Sequence, residues 1–236
     1  MKWLVSVILG LLPISAFASD MNYPTKAMPS YYNWSGFYAG LNVGGAFGNA
    51  SVTDTNGGVP AGPYAYQPKG VFGGGQAGFN YQWQNVVLGI EGDLGYMNPT
   101  SGKGLVPSSN PAYHQDLTVS GGVYADMTAR LGYAFGSLLF YGKGGYAYVD
   151  TSASQTTTKP GYATTGTGAF DGAVYGGGIE YAFARQWTIK AEYLRFDLGS
   201  RGAYQTSITD APIGFQYLNT TSLKFDTVKI GANYRF

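Results

Sequence analysis

The segment FYAGLNVGGAF, residues 37–47, decides the fold class of this chain. Phe37, Leu41 and Val43 fall on one side of an extended backbone, whereas Asn42 falls on the other. A period of two residues is typical of a β-strand with one apolar face, because successive side chains of a strand point to opposite sides of the sheet.

The same alternation returns along the rest of the chain and predicts eight strands in all. After the first strand, the segments that carry it are 71–83, 86–96, 117–134, 138–149, 171–183, 187–198 and 228–236.

Short and long links alternate strictly between these strands. The short links, which have the length of hairpin turns, are 84–85, 135–137 and 184–186. The long links, rich in Gly, Ser, Thr, Asn and Pro, are 49–69, 98–116, 150–170 and 199–222. This order predicts an antiparallel meander with all its short turns at one end, as in bacterial outer-membrane barrels.

The composition indicates which face of the strands points outward. Only 11% of the residues are charged and 16% are aromatic, whereas ordinary soluble domains are about 25% charged. A soluble lipocalin-like barrel has the same period in the opposite sense, but its exterior would need many more charges. We therefore predict an all-β fold, an eight-stranded antiparallel up-and-down transmembrane β-barrel whose apolar face contacts lipid.

The charges within the strands share the inward-facing side, and acids and bases are equal in number. They are Glu91, Asp93, Asp126, Arg130, Lys143, Glu180, Lys190, Glu192, Lys229 and Arg235. Because an unpaired buried charge is costly and the interior of such a barrel is just wide enough for side chains, we expect an ion-pair network that plugs the lumen. A polar pore lining is the alternative. Arg195 falls on the lipid-facing side, so we expect it either to reach the headgroups or to follow a bulge that switches its parity.

The first eighteen residues predict an export signal. Lys2 gives a positive start, residues 3–17 form an apolar run that is short for a bilayer span, and Ala16-Phe17-Ala18 matches a signal-peptidase site. We expect cleavage after Ala18, a flexible periplasmic leader at 19–33 and the barrel domain at 34–236. The chain has no cysteine, so no disulfide would hold it in the oxidising compartment to which the signal leads.

Four segments together resemble one family of bacterial proteins. YNWSGFYAGLNVG (32–44), YGKGGYA (141–147), AEYL (191–194) and VKIGANYRF (228–236) are similar to strands of the small porin-like outer-membrane barrels of alphaproteobacteria. That family includes major surface antigens and haemin-binding proteins. The resemblance implies an eight-stranded barrel, like the membrane domain of outer membrane protein A, located in the outer membrane. It also implies that the barrel-assembly machinery reads the terminal strand, whose outward residues would be Val228, Ile230, Ala232, Tyr234 and Phe236.

The chain carries little of the chemistry that enzymes and metal sites need. Its one histidine, His114, lies near Asp116, Ser108 and Ser109, but Ser and Thr are abundant in all the long links, so we predict no catalytic residue. Without cysteine or a histidine pair, we predict no metal site and no cofactor. Tyrosine is a known axial ligand of haem, and the long links carry Tyr64, Tyr66, Tyr113, Tyr162, Tyr204 and Tyr217.

These observations favour a non-enzymatic, structural, surface-exposed outer-membrane protein with a largely plugged polar lumen. Its expected partners are outer-membrane lipid and lipopolysaccharide, and the barrel-assembly machinery during biogenesis. The balance of 14 basic and 13 acidic residues argues against nucleic acid as a partner. Two alternatives remain: a porin that passes small solutes, and a surface receptor that binds haem or a host ligand through its loops.

Overall fold

The structure, a computed structural model, describes residues 32–54, 64–100, 106–107, 114–150, 152–157, 162–163, 168–207 and 216–236. The predicted signal peptide, its cleavage site and all of the predicted leader except Tyr32 and Asn33 lie outside the described residues. No helix within these ranges is long and apolar enough to cross a membrane.

Eight long antiparallel strands form one closed barrel, which confirms the predicted fold. They are β1 (Gly36–Asp54), β2 (Lys69–Trp83), β3 (Val86–Thr100), β4 (Gly122–Phe135), β5 (Leu138–Val149), β6 (Phe170–Ala182), β7 (Trp187–Ser207) and β8 (Gln216–Arg235). Each strand pairs with the next one along the chain, and β8 pairs with β1, so the ring closes. Closure matters because hydrocarbon offers no partner to a backbone N–H or C=O group.

The register of the strands sets the tilt and the width of the barrel. A path of directly paired residues leaves β1 at Ala39, passes once around the ring and returns to β1 at Asn49, ten residues further along. The path is Ala39, Ala77, Gly92, Met127, Tyr146, Ala173, Asp197, Lys224 and Asn49. Eight strands with this stagger tilt by about 40° and enclose an interior that side chains can fill.

The strands run further into the long links than the alternation predicts. β1 continues to Asp54, β7 to Ser207, and β8 already begins at Gln216. The long links also contain short strands: Tyr64–Tyr66 pairs with β1, and Tyr162–Ala163 pairs with β7. This pairing leaves no trace in a one-faced apolar alternation, because these segments, such as GSRGAYQTS at 199–207, contain few apolar residues.

The assignment of residues 117–120 to the fourth barrel strand is wrong. They belong to the strand His114–Ser120, which pairs with Val106–Pro107 on one side and Ser152–Thr157 on the other. These three strands form a separate small sheet, built from the link between β3 and β4 and the link between β5 and β6. The fourth barrel strand, β4, begins only at Gly122.

The short links are tight turns at one end of the barrel. Gln84 takes a positive φ of 53° between β2 and β3, and Gly136 takes a φ of 60° between β4 and β5. Phe135, expected in the second turn, is the last residue of β4, and the third turn spans 183–186 and therefore includes Phe183.

The apolar face of every strand points outward, as the composition predicts. Leu41 is 74% exposed and Met127 is 73% exposed, whereas the inward neighbour Asn42 is buried. Aromatic side chains ring the end with the short turns, where Trp83, Phe135, Trp187 and Phe236 are exposed. The exterior therefore presents an apolar band with an aromatic girdle, as a membrane-spanning barrel requires.

The polarity of the two faces inverts near the loop end of β7 and β8. Arg195 and Asp226 point outward there, while the next residues, Phe196 and Phe225, are buried inside. An apolar interior with a polar exterior is the arrangement of a water-surrounded barrel. The inversion therefore marks the level at which the barrel leaves the hydrocarbon.

Inward-facing glycines leave room for the large side chains of the interior. A methyl group on Gly95 of β3 would lie 2.6 Å from the ring of Tyr124 and 2.4 Å from the carbonyl oxygen of Gly73. A methyl group on Gly92, on the outward side of the same strand, would meet its nearest atom at 3.7 Å.

We predict that Gly95→Ala destabilises the barrel by about 1–3 kcal/mol, the usual cost of overpacking, while Gly92→Ala leaves its stability nearly unchanged. Urea titrations of the refolded proteins in lipid vesicles, followed by tryptophan fluorescence, measure both values. Equal unfolding midpoints for the two variants would contradict the packing described for Tyr124.

Candidate functional site

The interior of the barrel consists of three layers, and the first is an apolar layer at the short-turn end. Its buried members are Trp34, Val87, Ala134, Leu139, Tyr141 and Ala182, with Tyr32 packed against them. Alternation predicts a polar interior at these positions, so the apolar character of Val87, Leu139 and Ala182 is a correction to it.

Trp34 closes this end of the barrel. Its side chain is fully buried, its indole Nε1–H donates to the carbonyl oxygen of Gly136 (3.2 Å), and its backbone N–H donates to Oε1 of Gln82 (2.6 Å). The segment before β1, which includes the last two residues of the predicted leader, is thus packed across the mouth of the barrel.

Arg235, predicted to join the interior ion pairs, binds this segment instead. Its guanidinium donates to the carbonyl oxygens of Asn33 and Ser35, both at 2.6 Å, and lies over the ring of Tyr32. Arg235 is the last residue of β8, so these bonds fasten the segment before the first strand to the end of the last one.

The second layer is polar, and Glu91 is its centre. Its carboxylate accepts from the ammonium groups of Lys143 (2.5 Å) and Lys190 (2.8 Å), lies 3.8 Å from Arg130, and accepts from the hydroxyl of Tyr38 (2.8 Å). All four partners come from different strands. Arg130 lies on the neighbouring strand β4, whereas the strands of Lys143, Lys190 and Tyr38 do not pair with β3, so those three contacts cross the lumen.

Two further acids extend the polar layer toward Lys229. The ammonium group of Lys229 lies 2.8 Å from Asp93 and 3.0 Å from Glu192. Lys143 joins both acids as well, at 3.5 Å and 3.4 Å respectively. Each lysine therefore contacts more than one carboxylate, and the contacts form a continuous network.

Arg130 lies at the edge of the network that faces the first apolar layer. Its guanidinium pairs with Glu180 (3.1 Å) and donates to Oδ1 of Asn80 (2.8 Å). It also lies 5.0 Å from the ring centroids of both Tyr38 and Tyr141, a distance typical of cation–π contacts. Sequence reasoning named the charges but missed these tyrosines, although both lie on the inward parity.

Eight of the ten predicted interior charges meet in this network, four acids and four bases. They are Glu91, Asp93, Glu180, Glu192, Arg130, Lys143, Lys190 and Lys229. Asp126 stays apart: it is buried, but neither of its carboxylate oxygens has a hydrogen-bond partner among the described residues. The expected ten-membered network is thus too large by Asp126 and Arg235.

The third layer is apolar and fills the loop-side half of the interior. Its buried residues are Ala46, Ala50, Phe72, Met97, Tyr124, Ala147, Val149, Phe170, Val174, Leu194, Phe196, Leu198, Leu223 and Phe225. The expectation of a polar interior throughout is therefore wrong for this half as well. The sequence contains a signal that predicts this apolar layer. The apolar residues of β7 occupy odd positions up to Tyr193 and even positions from Leu194 onward.

Arg195 keeps its outward parity and pairs with an acid on the neighbouring strand. Its guanidinium lies 3.3 Å from Asp226, which also accepts from the hydroxyl of Tyr193 (2.6 Å). The register is continuous at Arg195, and the bulge in β7 follows it, between Asp197 and Ser200. Lys224 pairs with Asp197 (2.8 Å) one step further out, and Arg201 pairs with Asp171.

The loop residues considered from the sequence fall partly outside the described part of the chain. Ser108, Ser109 and Tyr113 are among the undescribed residues, and His114 and Asp116 lie on the strand His114–Ser120 of the small sheet. Among the described residues, no group of three or more His, Cys, Asp or Glu side chains is arranged to hold a metal ion.

The apolar exterior, closed ring and one-sided turns define a bacterial outer-membrane β-barrel. The chain belongs to the family of outer membrane protein beta-barrel domains, which it matches over residues 4–236. This confirms the resemblance and places the protein in the outer membrane.

Individual relatives agree with this assignment. The 31 kDa outer-membrane immunogenic protein of Brucella melitensis is 30% identical over 247 aligned positions, covering 99% of this chain and 98% of that protein. The 22 kDa outer membrane protein of Rhizobium leguminosarum is 29% identical over 174 positions, covering 72% of this chain and 66% of that protein. The crystal structure of OprG from Pseudomonas aeruginosa shares the fold, with a TM-score of 0.52 at 11% identity, over 89% of this chain and 99% of that one.

We predict that Glu91→Gln destabilises the folded barrel by about 3–5 kcal/mol, because it leaves Lys143, Lys190 and Arg130 without their shared counter-charge. Asp126→Asn, the matched loss of a buried carboxylate without a partner, should leave stability unchanged or raise it. Urea unfolding in lipid vesicles measures the two changes side by side, and a similar loss in both variants would refute the different roles given to these acids.

Proposed function

We propose that this protein is a non-enzymatic, structural component of the outer membrane with a closed interior and surface-exposed loops. The observation that carries the proposal is the layering of the interior, in which two apolar layers lie above and below the ion-pair network. An ion in transit would have to lose its hydration twice, in surroundings that offer few polar partners, at a prohibitive cost in free energy.

The network itself supports a bracing role. Its four acids and four bases compensate each other, and its contacts join residues that lie far apart in sequence, such as Lys190 and Glu91. Because breaking one buried pair leaves an uncompensated charge, the network resists any rearrangement that would open a water-filled path between strands.

The long loops are the parts of the protein that we expect to meet the surroundings of the cell. They lie at the end of the barrel opposite the short turns, and outer-membrane barrels place their longer loops outside. The relative from Brucella melitensis is named an immunogenic protein, which supports exposure of the corresponding loops at the surface.

We infer that the two ends of the chain direct its biogenesis. The signal at 1–18 would be cleaved after Ala18, and residues 19–33 would form a periplasmic leader. The apolar outward stripe of the last strand would be recognised by the barrel-assembly machinery. Its residues are Val228, Ile230, Ala232, Tyr234 and Phe236.

We predict that the refolded protein is silent in planar-bilayer conductance recordings, because both apolar layers stay closed. Lys143→Ala and Glu192→Ala, which disturb only the polar layer, should remain silent as well, provided that each variant folds. Steady openings of the wild type whose conductance changes in these two variants would instead establish the porin alternative.

A further inference from the structure

The outward face of the barrel carries an apolar groove that extends across β6, β7, β8 and β1. Its volume is about 630 Å3. Its small outward residues are Ala191 and Ala232, and the larger side chains of their direct pairing partners, Ile230 and Ile189, flank them. Leu41 and Ile179 lie at its two ends, beside Ala232 and Ala191 respectively. The groove lies within the apolar band, so whatever occupies it is a component of the membrane.

Charged side chains lie above this groove on the same face. Arg195 is four residues beyond Ala191 on β7, a distance of about 13 Å along the strand. Arg195 pairs directly with Asp226, and Asp197 pairs directly with Lys224, so Arg195 and Lys224 are diagonal neighbours on the outward face. Such neighbours are about 7–8 Å apart, close enough for both to reach one anionic group.

Arg195 lies closer to the centre of the membrane than Asp171, an outward acid of the neighbouring strand. The direct pairing partner of Arg195 on β6 is Tyr175. Tyr175 lies four residues further from the loop end of β6 than Asp171, which is on the same strand. With the stagger and tilt of the strands, Arg195 lies about 7 Å closer to the centre of the membrane than Asp171. The Arg195 side chain is 38% exposed and that of Asp226 is 27% exposed, so both are accessible from the lipid side. A charge at this depth carries a cost near the interface, which a bound headgroup would offset.

We propose that this face of β7 and β8 binds one phosphorylated glycolipid of the outer leaflet, with an acyl chain in the groove and a phosphate between Arg195 and Lys224. Guanidinium and ammonium groups donate to phosphate oxygens. The carboxylates of Asp226 and Asp197, which share the same surface, accept hydrogen bonds from sugar hydroxyls. A headgroup that carries both phosphates and hydroxyls therefore matches the mixed charges of this face.

The competing occupant is a second copy of the barrel. A narrow groove between Ile189 and Ile230 suits a single flexible chain better than the convex surface of another barrel, which would rest on these two side chains. The proposal depends on the location of the protein in the outer membrane and not on closure of the lumen, so conductance and lipid binding test separate claims.

Native mass spectrometry of the folded protein, with purified lipid A added as the probe, tests the proposal. Ala191→Phe fills the groove and Arg195→Gln removes the cation, and each should reduce retained lipid A at least five-fold. The matched controls are Ala129→Phe, an outward alanine of β4 at a similar depth, and Lys69→Gln, an outward cation at the loop end of β2. Both controls should retain lipid A as the wild type does.

Heat-modifiable mobility on gels checks that each variant folds. Equal retention in all five proteins would mean that lipid A binds without a defined site, and it would overturn the proposal. A wild-type dimer that becomes monomeric in Ala191→Phe would also overturn it, because the groove would then belong to a contact between two copies.

Discussion

Hydrocarbon provides no hydrogen-bond partner for a backbone N–H or C=O group, and the rest of this structure depends on that constraint. Eight strands satisfy it by closing into a ring, in which β8 returns to β1. A ring of eight strands with a stagger of ten residues is narrow, so its interior has to be filled by side chains that satisfy one another. The inward-facing charges meet this requirement as a compensated network around Glu91, and glycines such as Gly95 leave space for the large rings beside them.

The same constraint explains the order of the polar and apolar layers along the axis of the barrel. At membrane depth the outward face is apolar, so the polar residues of each strand can only point inward. Above the inversion at Arg195 and Asp226, the surroundings are aqueous, and the interior becomes apolar, with Phe196 and Phe225 buried. At the short-turn end, Trp34 closes the mouth and Arg235 fastens the segment that carries it. The barrel thus has two sections along its axis. One has an apolar exterior that faces lipid, and the other, on the loop side, has an apolar interior and a polar exterior.

The alternation of residues such as Leu41 and Asn42 was sufficient to predict the strands and the two faces of each strand, and the low content of charged residues added the outward sense of the apolar face. The alternation was not sufficient to predict partners, because Lys190 and Glu91 lie 99 positions apart in sequence and meet only through the stagger of the whole ring. For the same reason it did not separate Asp126, which has no ion pair among the described residues, from Asp93. The outer apolar layer escaped prediction because each strand was assigned one apolar face throughout, although the apolar positions of β8 change parity between Phe225 and Val228.

The central claim is that the polar layer is sealed from water-soluble molecules by the apolar layers around it. The chain has no cysteine, so a single thiol placed in that layer reports access directly. Thr128, inward-facing and buried on β4, is the position of choice, and the exposed Asn49 near the loop end of β1 is the control. In the folded barrel, the account predicts that a charged thiol reagent labels Asn49→Cys rapidly and leaves Thr128→Cys unlabelled until the protein is unfolded. Labelling of Thr128→Cys in the folded barrel at a rate close to that of Asn49→Cys would show a water-filled lumen and contradict the account.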